Sequence, residues 1–562
     1  MAILSFFRFE PKGVHQAALL LALSSAANGV LGLLRDRLLA SSYGASRELD
    51  IYYAAFRVPD IIFTLSLFFV ASTAFIPLFL ERSEHDARRG EEFFGAIILI
   101  FFAVMSIMSI FAFIYMPFFV RFAVPGFRAE DQMATMMLAR IMLCSPIFLG
   151  FSSLISGVSQ SRKKFLAYAL SPIAYNIGII FGAVVFAPRF GITGLAWGVA
   201  LGAFLHMSVQ LPTLLRIGVR PRYSLASVSR SFEIIMYSFP RALALSWNQI
   251  TMLFLTSIAS VLGAGAISVF NFSYNLHSLP LVVIGLSYSV AAFPTMAELA
   301  LKDKKQVFFE HVVSGARHIL FWTMPVAALF IVMRAQIVRI ILGSGSFEWL
   351  DTRLTAASLA LFAIALVFQS LVTLFVRAYY ALGRAREPIL YNMVASFLTL
   401  AVAGSSIWLL GPDSAFKTFL ESLFRLENLG HGQKIAVIEF LSIPFAYVFG
   451  SCVNAVLLGT GLFRMNGKDV WVPLTVTLRM VMIVSVAMGF AAYGALIIAG
   501  TFVSLETASG ILIQGALALF VALAVGVGVC YVLRVREFLE VLDAVHARFS
   551  HRGVLQPEIE HL

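Results

Sequence analysis

Charged residues are scarce in this sequence. The 562 residues include 41 Lys and Arg and 30 Asp and Glu, which make 13% of the chain, whereas soluble domains carry about 25%. Hydrophobic residues make up 60%, and a water-soluble surface would need far more charge to cover so much apolar material. The composition excludes an ordinary cytosolic enzyme, a disordered chain and a secreted disulfide scaffold. It predicts a polytopic helical membrane protein.

Cysteine and the common catalytic motifs are scarce as well. The three cysteines, Cys144, Cys452 and Cys530, lie far apart in apolar stretches, without metal-binding spacing or a disulfide framework. No Walker A loop and no nucleophile-base arrangement stands out. The net charge of +11 fits cytoplasmic loops rich in Lys and Arg better than nucleic-acid binding. We therefore expect a transporter without a cofactor, neither an enzyme nor a nucleic-acid-binding protein.

Long apolar segments account for most of the chain. A membrane-spanning helix needs about 20 residues, and fourteen segments approach or exceed that length. They fall roughly at 15–43, 61–80, 93–120, 133–158, 165–187, 192–214, 232–261, 266–297, 317–341, 355–382, 388–410, 436–463, 471–499 and 508–534. The first segment begins like a signal peptide, but its apolar character resumes at Val30, which favours an uncleaved helix.

Basic residues mark alternate connections between these segments. The connections after segments four, six, eight, ten and twelve are rich in Lys and Arg, whereas those after five, seven and thirteen contain at most one. Because loops rich in Lys and Arg stay cytoplasmic, both termini are expected in the cytoplasm. The connection at 411–435 is then on the outer face, and its helix-like apolar spacing predicts a short amphipathic helix.

A repeated motif divides the chain. P-x-x-Y-N occurs at Pro172–Asn176 and again at Pro388–Asn392, 216 residues later, each time just after a basic loop. The spacing predicts two six-helix lobes related by a parallel pseudo-twofold repeat. The predicted parts are an N-terminal lobe at 1–225, a C-terminal lobe at 226–468, two further helices at 469–536 and a cytoplasmic tail at 537–562.

The few charges inside the apolar segments are the best candidates for function, because an intramembrane charge costs roughly 2.5–3.5 kcal/mol on insertion scales. Arg35, Asp36 and Arg37 lie well inside segment one, with Arg35 about 12 Å from its end. Arg35 and Arg37 point about 200° apart, so they cannot share one site. Arg35 suits either an ion-pair lock between helices or contact with an anionic headgroup, since guanidinium binds phosphate bidentately.

The turn into segment two adds two further candidates. Asp50 and Arg57 are seven residues apart and share a helix face. We expect Arg57 to join Arg35 in substrate binding, and Asp36, Asp50 and Arg37 to act in gating or coupling. The matching region of the second half is polar but contributes weaker candidates, Asn275 and His277. Because no ATP motif is present, coupling to the membrane potential or to a monovalent ion is expected.

A set of short motifs in order resembles the MurJ/MviN lipid II flippase family, within the superfamily of multidrug, oligosaccharide-lipid and polysaccharide exporters. The motifs are Val30-Leu31-Gly32, Arg35-Asp36, Gly44-Ala45, Asp50, Ala55-Phe56-Arg57-Val58-Pro59, Ala74-Phe75-Ile76-Pro77, Pro125-Gly126-Phe127, Gly194-Leu195-Ala196-Trp197-Gly198 and Gln210-Leu211-Pro212. The resemblance implies alternating access in the bacterial cytoplasmic (inner) membrane. Its implied substrate is an undecaprenyl-pyrophosphate-linked peptidoglycan precursor, and cell-wall synthesis proteins are potential partners.

The sequence also departs from the family's pattern. The family's basic residue early in the first helix falls near Asn28, its arginine pair in the second helix falls at Phe63-Thr64, and its Asp-Arg pair in the eighth falls at Tyr274-Asn275. Fewer cationic contacts leave two alternatives open. One is a flippase for another polyprenyl-linked glycan, of the O-antigen or teichoic type, and the other is a transport-inactive scaffold of wall synthesis.

Overall fold

The computed structural model of the chain is helical wherever it is described. It describes residues 14–67, 79, 81–82, 86–162, 164–219, 221–222, 227–229, 247–409, 437–465, 471–503 and 507–549. No β-strand occurs within these ranges. The predicted outer-face helix at 411–435 and the extreme termini lie outside them.

Among the described residues, ten α-helices of four residues or more precede residue 262, with one π-helical turn among them. They are α1 (Val14–Tyr43), α2 (Arg47–Ala55), α3 (Arg57–Ser66), α4 (Ala87–Ala123), α5 (Ala129–Met142), α6 (Cys144–Ser161), α7 (Leu166–Phe181), the π-turn π1 (Gly182–Phe186), α8 (Ala187–Phe190), α9 (Ile192–Ile217) and α10 (247–261).

Ten more α-helices and a second π-helical turn follow. They are α11 (Ala266–Pro280), the π-turn π2 (Leu281–Leu286), α12 (Ser287–Leu301), α13 (Lys305–Val332), α14 (Arg334–Leu342), α15 (Trp349–Ala381), α16 (Arg386–Leu409), α17 (Val437–Arg464), α18 (Trp471–Phe502), α19 (Ala508–Val532) and α20 (Arg536–Phe549).

The chain forms two compact units. The first unit comprises Met1–Phe272, Ile341–Asp351 and Ala403–Ile443. The second unit comprises Ser273–Ile340, Thr352–Val402 and Pro444–Leu562. The lobe boundaries drawn at residues 225 and 468 stay a prediction.

Eleven helices among the described residues are long and apolar enough to cross a membrane. They coincide with predicted segments three to six and eight to fourteen, and predicted segment one is the 30-residue helix α1, about 45 Å long. The all-α polytopic membrane fold is thereby confirmed. Segments two and seven lie partly outside the described residues, so the count of fourteen and the six-plus-six arrangement stay predictions.

Small residues allow α7 and α9 to pack closely in the first unit. Gly178 and Gly182 face Gly198 and Gly202, in the small-xxx-small spacing that lets membrane helices approach. A Cβ atom added to Gly198 would lie 2.6 Å from the Cα atom of Gly182. The backbone of α9 therefore has no room for a side chain on this face, and α7 is held in a fixed position.

A buried ion pair fixes the C-terminal helix α20 in the second unit. Arg317 Nη2 on α13 lies 2.7 Å from Glu537 Oε1 on α20, and the two side chains are only 15% and 2% exposed. Thr477 on α18 donates to the same carboxylate oxygen at 2.9 Å and accepts from Arg317 Nε at 2.9 Å. The tail predicted from residue 537 thus begins as a helix that joins α13 to α18.

Replacement of Gly198 by alanine is expected to destabilise the first unit by roughly 1–3 kcal/mol, because the added methyl group meets backbone that cannot yield. The measurement is the unfolding temperature of the purified protein in detergent. Gly404→Ala is the matched control, since Gly404 is a helical glycine with open space around its Cα atom. Equal unfolding temperatures for the two variants would contradict the close packing of α7 and α9.

Substitution of Glu537 by alanine is expected to lower stability by about 3–5 kcal/mol, because it leaves the buried Arg317 without its carboxylate partner. Limited proteolysis of α20 should accelerate in parallel. The control is Glu298→Ala, which removes an exposed i,i+4 partner of Lys302 and should leave stability almost unchanged. The buried pair has no structural role if both variants resist protease equally.

Candidate functional site

Arg35 is held by the carboxylate beside it in helix α1. Its Nε and Nη2 atoms donate to Asp36 Oδ1 at 3.0 and 2.8 Å. The Asp36 side chain is 5% exposed, whereas that of Arg35 is 22% exposed. Two adjacent residues in one helix thus form an ion pair, which offsets much of the free energy that either charge would cost in an apolar helix. The Arg35 side chain nevertheless stays partly accessible.

An asparagine from α7 completes the coordination of Arg35. Asn176 Oδ1 accepts a hydrogen bond from Arg35 Nη1 at 3.2 Å, and Asn176 Nδ2 donates to Asn28 Oδ1 at 2.8 Å. Asn28 lies seven residues before Arg35, so both face α7 from the same side of α1. Asn28 therefore fixes which way the amide of Asn176 points, with its oxygen towards the guanidinium.

Tyrosines surround this network. Tyr52 is 2% and Tyr53 8% exposed, and their phenols lie close enough to Arg35 and Asp36 to interact with both electrostatically. Tyr175, one residue before Asn176, is in electrostatic range of Arg35 as well. A cation among phenols can present several hydrogen-bond donors to an anionic group. Four helices of the first unit, α1, α2, α3 and α7, supply or approach this site.

Arg57 is the second predicted cation, and it begins α3. Its side chain is buried, and Nη2 donates to Asn271 Oδ1 on α11 at 3.1 Å. Asp60 follows one turn later, where its carboxylate attracts the Arg57 guanidinium. Arg57 thus resembles Arg35 in its surroundings, with one carboxylate close by in sequence and one asparagine from a distant helix.

The Asp50 carboxylate is a hydrogen-bond acceptor for the start of α11, and its expected part in gating stays a prediction. Its buried carboxylate accepts the backbone N–H groups of Gly265 and Ser268 at 2.6 and 2.8 Å, and the Ser268 hydroxyl at 2.7 Å. These N–H groups are at the start of α11, where a helix has no internal acceptors for them and favours negative charge. Asp50 therefore anchors the N-terminus of α11 to α2 within the first unit.

Arg37 does not join the Arg35 network. Its Nη1 atom donates to the backbone carbonyl of Ile341 at 3.3 Å, at the C-terminal end of α14. Helix C-termini carry partial negative charge and attract cations. The structure thus places Arg35 and Arg37 in separate surroundings.

The two weaker candidates, Asn275 and His277, lie in the second unit. His277 is 1% exposed and packs among the rings of Tyr274, Phe362 and Tyr447. The backbone carbonyl of Asn275 accepts the hydroxyl of Ser278. No group of three His, Cys, Asp or Glu side chains in the described ranges could hold a metal ion.

Sequence reasoning identified the charges of the site and overlooked their neutral partners. Asn28 stood out only as a departure from a family pattern, and Asn176 only as the end of the repeated P-x-x-Y-N motif. Asn271 and Ser268 carried no signal, because a single amide or hydroxyl in an apolar segment is common. The useful signal was the motif itself, since a repeated asparagine in a membrane helix needs a hydrogen-bond partner.

Substitution of Asp50 by alanine is expected to lower stability by roughly 2–3 kcal/mol, because three buried donors lose a charged acceptor. Thermal unfolding of the purified protein measures it. Asp131→Ala provides the control, since Asp131 is a more exposed carboxylate 3.7 Å from Arg47 and should contribute less than about 1 kcal/mol. A smaller effect for Asp50 than for Asp131 would mean that the anchor of α11 contributes little.

Comparison with known proteins identifies the family to which this chain is similar. A family model described as "Lipid II flippase MurJ" matches residues 39–512. The probable lipid II flippase MurJ of Buchnera aphidicola subsp. Acyrthosiphon pisum is 28% identical over 378 residues, 66% of this chain and 73% of that protein. The lipid II flippase MurJ of Burkholderia cenocepacia is 26% identical over 373 residues, 64% of this chain and 72% of that protein.

Solved structures show the same fold. A structure of "Lipid II flippase MurJ, inward closed conformation" aligns with a TM-score of 0.72 at 19% identity, over 92% of this chain and 99% of that one. An inward-facing multidrug resistance MATE family transporter of the MOP superfamily aligns with a TM-score of 0.62 at 13% identity, over 79% and 96% of the two chains. With the family model matching most of its length, the chain belongs to the lipid II flippase MurJ family.

Proposed function

We propose that this protein is a flippase that moves lipid II across the bacterial cytoplasmic membrane by alternating access, for peptidoglycan synthesis. The family assignment supports the substrate class, and the eleven apolar helices support the location in a membrane. The observation that carries the proposal is Arg35, a paired cation in an apolar helix whose side chain is 22% exposed. A partly exposed arginine suits a pyrophosphate, because guanidinium binds phosphate oxygens bidentately.

Asp36 is the competitor of the substrate for Arg35. A single oxygen, Oδ1, accepts both hydrogen bonds from the guanidinium. A pyrophosphate with more charge and more acceptor oxygens can displace it, and Asp36 can take the guanidinium back when the substrate leaves. Without substrate the Arg35–Asp36 pair is neutral, which avoids an unpaired charge within the membrane helices. Asn176 keeps Arg35 in position throughout the exchange.

Arg57 is proposed as the second contact to the pyrophosphate, with Asp60 in the role that Asp36 has for Arg35. Asp50 supports the site indirectly, because it holds the start of α11, and α11 carries the Asn271 that orients Arg57. The positive loops support a topology with both termini in the cytoplasm.

Replacement of Arg35 by alanine is expected to reduce delivery of lipid II to the outer leaflet roughly tenfold or more, because hydrogen bonds to charged groups contribute about 1.5–3 kcal/mol. The assay depletes the protein in cells, supplies the variant, and measures how much lipid II becomes accessible at the outer face. Arg35→Lys should retain part of the activity, since it keeps the charge and loses the bidentate geometry. Arg140→Ala is the control, because Arg140 packs on the Phe113 ring away from this network.

Each outcome of that assay separates the hypotheses. Normal appearance of lipid II at the outer face of depleted cells would reject lipid II as the substrate. Accumulation of a different polyprenyl-linked glycan at the inner face would identify the alternative flippase. Full activity of Arg35→Ala would remove Arg35 from the site and favour the scaffold, provided that membrane levels of the variant equal those of the unaltered protein.

A further inference from the structure

His277 is a buried ionisable group that the substrate site does not use. It lies in the second unit on α11, within the apolar stretch Ala266–Leu301, and is 1% exposed. Neither ring nitrogen has a hydrogen-bond partner among the described residues. An imidazole buried without partners costs free energy. Ionisable residues within membrane helices usually mark an ion or proton pathway.

A second histidine in a membrane helix shows how unusual this arrangement is. His206 lies in the first unit on α9, and its Nδ1 atom is 2.8 Å from Ser152 Oγ. Gln210, one turn further along α9, donates to the same hydroxyl at 2.6 Å. His206 is therefore a satisfied member of a structural hydrogen-bond network. His277 takes part in no such hydrogen-bond network among the described residues.

Aromatic rings enclose His277 on several sides. The ring centroid of Phe362 on α15 is 5.5 Å away, that of Tyr274 on its own helix 6.0 Å, and that of Tyr447 on α17 6.4 Å. The titratable groups that face it are the phenols of Tyr274 and Tyr447, which hydrogen-bond each other. Ring faces attract cations, so this enclosure suits an imidazolium once it has formed. A proton can arrive only when the packing opens to water.

A π-helical turn follows His277 in the same apolar stretch. Pro280 ends α11, and the chain continues into the π-turn Leu281–Leu286 before returning to α-helix. The carbonyl of Gly285 within it accepts hydroxyls from Ser289 at 2.6 Å and Thr373 at 3.1 Å. π-turns often occur at functional sites and differ from α-helix by a shift in hydrogen-bond register. A change of register here can open and close the aromatic enclosure.

We propose that His277 is a proton-binding site that couples the conformational cycle to the proton gradient. The neutral imidazole accepts a proton from water when the enclosure opens towards one face of the membrane, and the imidazolium returns it to water on the other face. On binding, an O–H bond of a hydronium ion breaks as the N–H bond forms, and on release the N–H bond breaks as an O–H bond forms on water. The coupling of this proton to lipid II rests on the proposed function, whereas the binding of the proton does not.

The first experiment tests proton binding without any substrate. The full-length protein, labelled with ¹⁵N-histidine in nanodiscs, is titrated by NMR, and the His277 resonance is assigned by its loss in His277→Asn. We expect this resonance to titrate and to split into two sets of signals as the open and closed states exchange. The His206 resonance, assigned in the same way, should not report that exchange. A His277 resonance that stays neutral from pH 8 down to about 5 would overturn the proposal.

The second experiment tests the coupling in proteoliposomes that contain lipid II. The membrane potential is clamped at zero with potassium and valinomycin while a pH gradient is imposed. One proton per substrate should shift the steady-state distribution of lipid II by about tenfold per pH unit. His277→Asn and His277→Gln should abolish that shift, whereas His206→Asn should keep it.

The outcomes of the second experiment are distinguishable. A shift that persists in folded His277 variants, or is absent in an unaltered protein that flips lipid II, would overturn the coupling. A protein that flips no lipid II at all contradicts the proposed function instead, and the NMR titration then decides the proton site alone. Size-exclusion profiles identify any variant that fails to fold.

Discussion

Arg35 lies in the middle of a long apolar helix, and the surrounding structure is arranged so that its charge is never alone. The ion pair with Asp36 keeps the helix locally neutral, and the chain Arg35–Asn176–Asn28 joins α1 to α7 through side-chain hydrogen bonds. Those bonds require α7 to be close and correctly rotated, which the glycine contacts between α7 and α9 secure. The close packing of glycine backbones in α7 and α9 thus positions the asparagine that holds Arg35.

Three buried carboxylates in this protein are also paired with hydrogen-bond donors, each in a different way. Asp36 is paired with a guanidinium in its own helix, Asp50 accepts the N–H groups at a helix start, and Glu537 joins an arginine and a threonine from two other helices. In each arrangement the carboxylate is withdrawn from water and accepts hydrogen bonds from protein donors instead. The Asp36 arrangement has the more exposed arginine partner, at 22% against 15% for Arg317, which is why we place substrate binding there.

The sequence was sufficient for the fold class and for the charged members of the site. Long apolar runs have one solution in a membrane, and a charge within them is visible at once. It was not sufficient for roles, because roles depend on what comes from distant helices. Asp50 and Arg57 were predicted to share a helix face, but they lie on two helices, α2 and α3, and their partners are Ser268 and Asn271, more than 200 residues away. No periodicity within one segment can report such contacts.

The repeated P-x-x-Y-N motif shows where internal symmetry ends. In the first unit its asparagine, Asn176, contacts Asn28 and through its oxygen holds a cation. In the second unit the corresponding Asn392 accepts a hydrogen bond from Asn454 at 3.3 Å. Both asparagines thus join membrane helices by an amide–amide bond, which suffices to explain their recurrence. Among the described residues, Asn176 also contacts a guanidinium, whereas Asn392 contacts an amide, so the repeat describes how the helices are held together.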